Sequence, residues 1–218
     1  MKKFLLLIVT GFFLTTLQAQ YSEKDVLEVK QLVSKNAAVL GLSADDLNNY
    51  VISSTYLSTE GIRMIYLYQS HKGIPVYNQM HVLAFRDGKP VSIAGGRIKG
   101  FDKMINNPAG LPSITAGEAV LSAIADAKIP ASKVAGSVQN PVTNSLGKLD
   151  FGKLGVAVED ITAELFWFPV NEKEFRLVWQ IFLAPDGSSD MWSVKVDAAT
   201  GAVVGKYNYT VYCNWHKD

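Results

Sequence analysis

Eight apolar runs rich in Val, Ile, Tyr, Phe and Trp fall into two groups of four along this chain, and the links within each group are too short for a crossover. That pattern restricts the fold more than any other feature, because strands joined by tight links must pair antiparallel with their neighbours. The first group runs Tyr50–Leu57, Ile62–Tyr68, Val76–Arg86 and Val91–Ile98, with turns at Thr59-Glu60-Gly61, at Gly73 and at Asp87-Gly88. The second runs Thr162–Pro169, Phe175–Leu183, Met191–Asp197 and Ala202–Tyr209, joined through Asn171–Glu174, Pro185–Ser188 and Ala198–Gly201.

Each group follows a helical pattern. Val26, Val29, Val33, Ala37 and Leu40 share one face of a helix expected over residues 23–41, with Ser22 and Asp25 at its start and Gly41 as its stop. Ser43-Ala44-Asp45-Asp46 predicts a further short helical turn. Thr115-Ala116-Gly117-Glu118 is a capping box opening a helix to about Lys128, which Pro130 ends. Residues 99–113 carry Asn106-Asn107-Pro108-Ala109-Gly110 and Pro112 and read as a linker. Residues 131–158 are weakly patterned and read as a long loop with a short strand or two. The expected fold class is α+β: two small helix-on-antiparallel-sheet units, over 20–98 and 114–210.

The N-terminus sets the compartment. Lys2 and Lys3 precede an apolar run from Phe4 to Leu17, and Ala19 is a small residue at a plausible cut. Residues 1–19 are expected to be a signal peptide, the remainder being secreted into an extracellular or periplasmic space. Loss of both lysines takes the formal charge from +1 to −1. Such a balance gives no electrostatic reason to bind nucleic acid or an anionic membrane. With Cys213 as the single cysteine no internal disulfide forms, and packing alone must hold the fold.

A search for reactive groups returns little. The histidines are His71, His81 and His216, and none belongs to H-E-x-x-H. His71 and His81 read as surface or strand-edge residues. Cys213 and His216 form C-x-x-H, two ligands where a structural zinc site needs four; the default reading is an ordinary lone cysteine, and the sharper one is a tail that reaches another protein's zinc. No G-x-S-x-G and no phosphate-binding glycine loop occur. Trp167, Trp179 and Trp192 read as core residues between sheet and helix. The chain is expected to be non-catalytic and to carry no cofactor.

Taken in order, several segments resemble a known family. Gln69-Ser70-His71-Lys72-Gly73-Ile74-Pro75-Val76 is similar to the Q-x-x-x-G-[IV]-P-V segment of fungalysin/thermolysin propeptide (FTP) domains, and the hairpin at Asp87-Gly88 fits it. Ile114–Ala119 looks like the helix start of a PepSY-type unit. Leu177-Val178-Trp179-Gln180 and the segment from Trp192 through Asp197 to Gly201 look like the closing strands of the same prosegments. Asn78 stands where the family often has glycine, and His71 where an aromatic is common.

The resemblance marks Gln69, Gly73, Pro75, Gly88, Trp179, Asp197 and Gly201 as family-motif positions. It implies a prosegment that assists folding of a zinc metalloendopeptidase and keeps it inactive, in cis or in trans, the zinc belonging to that partner. Residues 211–218 are then a tail or processing junction. Tyr207, Tyr209, Tyr212 and Trp215 are candidates to face the partner's cleft. The other reading is a free-standing secreted module of the same type that binds or inhibits other proteins.

Overall fold

A computed structural model describes residues 23–144 and 147–211. The fold is α+β: the described residues form three α-helices, two single-turn 3-10 helices and a ten-stranded, mostly antiparallel sheet. Helix α1, Glu23–Lys35, is followed by α2, Ala44–Asn48, and by strands β1, Tyr50–Leu57; β2, Arg63–His71; β3, Ile74–Arg86; and β4, Lys89–Gly95. Helix α3, Ala116–Asp126, precedes the two-residue strands β5, Val142–Thr143, and β6, Leu149–Asp150. The long strands β7, Thr162–Asn171, β8, Glu174–Leu183, β9, Trp192–Asp197, and β10, Val203–Asn208, complete the chain.

Local chemistry accounts for most of the boundaries. The Thr115 hydroxyl accepts from the Glu118 amide, and the Glu118 carboxylate accepts from the Thr115 amide at 2.7 Å. These bonds hold the Glu118 carboxyl below its usual range, and Ser43 with Asp46 repeats the arrangement on α2. Lys72-Gly73 and Asp87-Gly88 each place two successive residues at positive φ, as two-residue hairpin turns require. Helix α1 stops at Lys35, short of the expected Gly41. Asn36 turns its side chain onto the Leu32 carbonyl at 2.8 Å, and the chain continues as turns. Gly41, at φ +65°, ends those turns: the Leu42 amide donates back to the Ala37 carbonyl at 2.8 Å.

Strand β3 ties the two groups of strands together. It pairs with β2 along its length and with β4 through its C-terminal half. At its start Val76 lies opposite Trp167 of β7, in parallel. This parallel seam was not anticipated, because it joins residues that the chain order keeps far apart. The β2–β3 register slips between Tyr68↔Met80 and Ser70↔Pro75, around Asn78 at φ +58°. Asparagine is among the residues that accept the left-handed conformation, so Asn78 can hold this backbone geometry without being glycine.

All three helices pack on one face. Under α1, Val29 and Val33 meet Ile65, Leu67, Leu83 and Phe85. Under α3, Ala119, Val120, Ala123 and Ile124 meet Trp167, Leu177, Trp179, Ile181, Val194 and Val196. The weakly patterned segment also contributes to this core, through Phe151, Leu154, Val156 and Ala157. Gly117 lets that segment approach α3: a Cβ there would lie 2.3 Å from the Val138 carbonyl oxygen. Trp192 is only partly buried, with the Lys206 ammonium 4.1 Å from its ring centroid.

Candidate partner-binding site

Strand alternation sends the residues between the core positions to the opposite, helix-free face. On β7, Phe166 and Phe168 alternate with the core Trp167; on β9, Ser193 and Lys195 alternate with Val194 and Val196. Tyr68 of β2 meets Phe166 edge-on, and Tyr77 of β3 meets both Phe166 and Phe168, at 6.3 and 5.2 Å between centroids. Tyr207 and Tyr209 stand edge to face at 4.9 Å and are 57% and 50% exposed. Tyr56 and Tyr66 stack further along the same face. The result is a band of rings across the strands, a surface type enriched in protein interfaces.

Lys195 lies within this band and is 2% exposed. Its ammonium donates to Ser193 Oγ at 2.8 Å and sits 4.9 Å from the Tyr77 ring centroid and 6.0 Å from that of Phe168. Among the described residues no carboxylate pairs with it. Burial pushes its pKa down to about 8. Burial also raises the Tyr68 and Tyr77 phenols, with smaller contributions from Glu164 on Tyr68 and from Tyr209 on both. Gly205, directly opposite Lys195 on β10, makes room for the cover: a Cβ there would press to 3.1 Å from Phe168 Cζ.

The family-motif positions hold the scaffold at its joints. The Gln69 amide imitates a strand partner, donating to the Ile98 carbonyl at 2.9 Å and accepting from the Ile98 amide at 2.8 Å. Gly73 and Gly88 occupy the two hairpin turns, and Pro75 lies opposite Ser70. Trp179 is buried, and its Nε1 donates to the Ile114 carbonyl, fixing the entry to α3. Asp197 Oδ1 accepts from the amides of Ala199 and Thr200, and Gly201 takes φ +76° in the same turn. Gln69 and Gly73 line a polar cleft of about 710 Å³, whereas Trp179, Asp197 and Gly201 do not. Gly73, Pro75 and Trp179 come together along a second cavity of about 280 Å³, so the seven motif positions divide between places and do not share a single site.

Of the two described histidines, His81 is neither at the surface nor at a sheet edge, because β3 is paired there on both sides. His71 is half-buried at the end of β2, 5.8 Å from the Trp167 ring centroid, with Nε2 3.2 Å from the Pro108 carbonyl. Its own carbonyl accepts from Trp167 Nε1. His81 is half-buried on β3, and its Nε2 has no partner among the described residues. Among the described residues no three His, Cys, Asp or Glu side chains converge as a metal site. No helix among them is long and apolar enough to cross a membrane. Residues 1–19, Tyr212, Cys213, Trp215 and His216 lie outside the described residues.

No family model matches the chain, and no curated protein matches it. Among solved structures, the C-terminal domain of YpeB from Bacillus megaterium is similar at a TM-score of 0.34 and 10% identity, over 83% of this chain and 64% of that one. The chain thus spans less than two thirds of the length of that relative. A chain described as a lipoprotein from Clostridium difficile is similar at a TM-score of 0.24 and 11% identity, over 80% of this chain and 91% of that one. Both likenesses are distant, and no residue role is carried over from either.

Proposed function

We propose that this chain is an exported, non-catalytic prosegment-type protein that assists the folding of a zinc metalloendopeptidase and restrains it, in cis or in trans. The observation that carries the reading is the helix-free face. It holds aromatic rings on several adjacent strands, while the helices that complete the core all lie on the other side. A face of that kind offers rigid rings for a broad contact with another protein. A partner bound more tightly in its folded than in its unfolded state is stabilised by mass action, which is how a docking surface acts as a chaperone. The FTP and PepSY resemblance supplies the partner class, and the turn-forming and strand-pairing roles of Gln69, Gly73 and Asp197 are compatible with it.

The test uses the mature chain and a fungalysin-type zinc endopeptidase. Micromolar chain added to the native enzyme is expected to suppress peptide hydrolysis, and chain present during refolding to raise the yield of active enzyme. No inhibition together with no gain in refolding would remove the proposal.

A further inference from the structure

Strand β4, Lys89–Gly95, is open on one edge and on both faces. It pairs with β3 alone, and among the described residues no main-chain hydrogen bond ties it to any other segment. Ser92 and Ala94 lie beside Ala84 and Val82 on the helix-free face, Ile93 lies beside Leu83 on the helical face, and all three are exposed. The cover that α1 gives Leu83, 1% exposed, does not extend to Ile93, 47% exposed; Val91 is 54% exposed. Pro90 and the register shift beside it blunt the first residues of the edge and leave Ser92–Gly95 able to form a ladder. An edge that shows free main chain and apolar side chains together is a template for a further strand.

Charge selects among the strands that could pair there. Arg86 and Lys89 lie directly opposite each other across the hairpin. Both are exposed, and neither they nor Asp87 in the turn between them makes an ion pair among the described residues. Like charges placed opposite each other repel, and a carboxylate on an added strand offsets that repulsion. We infer that the free edge of β4 takes an extended acidic segment of another protein, its main chain pairing with Ser92–Gly95, an apolar side chain lying beside Ile93 and carboxylates further along reaching Lys89. A second copy of this chain fits less well, because antiparallel self-pairing centred on Ile93 would set Lys89 beside Arg97. None of these residues belongs to the aromatic band, so this contact stands whether or not the partner is a peptidase.

The flanking charges point the same way. From Gly88 to Phe101 the chain carries Lys89, Arg97 and Lys99 and no carboxylate. Arg97 is paired with Asp46 at 2.7 Å, whereas Lys99 is exposed and makes no ion pair among the described residues. Main-chain pairing supplies the attachment, and the charges favour an acidic strand and oppose a basic one.

The experiment titrates the ¹⁵N-labelled mature chain, at low ionic strength, with acetyl-Thr-Val-Thr-Val-Thr-Glu-Glu-amide and, separately, with the same peptide ending in two lysines. The acidic peptide is expected to bind about tenfold more tightly than the basic one, shifting the amide signals of Ser92, Ile93, Ala94 and Gly95. Added salt is expected to narrow that difference. An acidic peptide with proline in place of both valines cannot form the ladder and is expected not to bind. Lys89→Glu, checked for folding by the dispersion of its spectrum, is expected to bind the acidic and basic peptides alike. Ile93→Thr, which keeps a β-branched side chain, is expected to weaken the acidic peptide about threefold. Equal binding of the acidic and basic peptides to the native chain, binding of the proline peptide, no binding of any, or shifts confined to another surface would overturn the inference. Dimerisation of the free chain through Ser92–Gly95 would overturn it too, by assigning the edge to a second copy. A chain that binds the acidic peptide here yet leaves the peptidase unaffected keeps this edge contact and loses the prosegment role; the reverse result keeps that role and loses the edge contact.

Discussion

The two faces of the same sheet obey different rules. On the helical face Trp167, Trp179 and Lys206 spend their polar atoms within the protein: each tryptophan donates to a main-chain carbonyl, and Lys206 bonds Asp126 across to α3 at 2.9 Å. On the helix-free face Lys195 is buried without a carboxylate, and Tyr207 and Tyr209 stand more than half and half exposed. One face is arranged for the stability of the isolated chain. The other keeps an unbalanced charge and uncovered rings, a combination that costs stability alone and gains from a second surface.

Substitutions on each face test that contrast. The largest effect is expected from Trp167→Ala, which empties the centre of the helical-face core and leaves the His71 carbonyl without its donor. A loss of about 3–5 kcal/mol in urea unfolding is expected. A loss under 1 kcal/mol would show that the seam between β3 and β7 does not hold the sheet together. Lys195→Met is expected to act in the opposite direction. The lysine titrates near 8 in the folded chain against 10.5 unfolded, so below pH 8 its charged form favours the unfolded state by up to about 3 kcal/mol. Native stability should therefore rise between pH 8 and about 10, where the unfolded chain binds the extra proton, and the methionine variant should be more stable at pH 7 and lack that rise. Destabilisation by this substitution would make Lys195 part of the scaffold and erase the difference between the faces. The smallest stability effect is expected from Tyr207→Ser combined with Tyr209→Ser, within about 0.5 kcal/mol of the native chain. The same pair should weaken peptidase inhibition at least about tenfold, because rings at an interface dominate its binding energy. Unchanged inhibition would place the contact elsewhere.

What the sequence disclosed follows the range of the interactions involved. The capping box at Thr115, the Asp87-Gly88 hairpin and the alternation of β7 to β9 are decided within a few residues and are readable directly. The end of α1 was placed too late because Val33, Ala37 and Leu40 keep a helical spacing, while the Asn36 side chain diverts the backbone. The pairing of Val76 with Trp167 depends on how separate groups of strands meet, which no local pattern encodes. Lys195 was legible only in part. Its place between Val194 and Val196 assigns it to the face away from the core, where a lysine would ordinarily be solvated. Rings from β3 and β7 bury it instead, and the one local hint is the missing side chain at Gly205 on the neighbouring strand.

Strand β3 has a consequence for how such a chain can change over generations. Because Ile74–Arg86 serves as a partner to β2, β4 and β7 together, neither half of the chain can be swapped, duplicated or discarded without supplying a new neighbour for the half left behind. Substitutions are expected to be tolerated best at the tips of the hairpins and least in those thirteen residues, which join the two groups of strands into one unit.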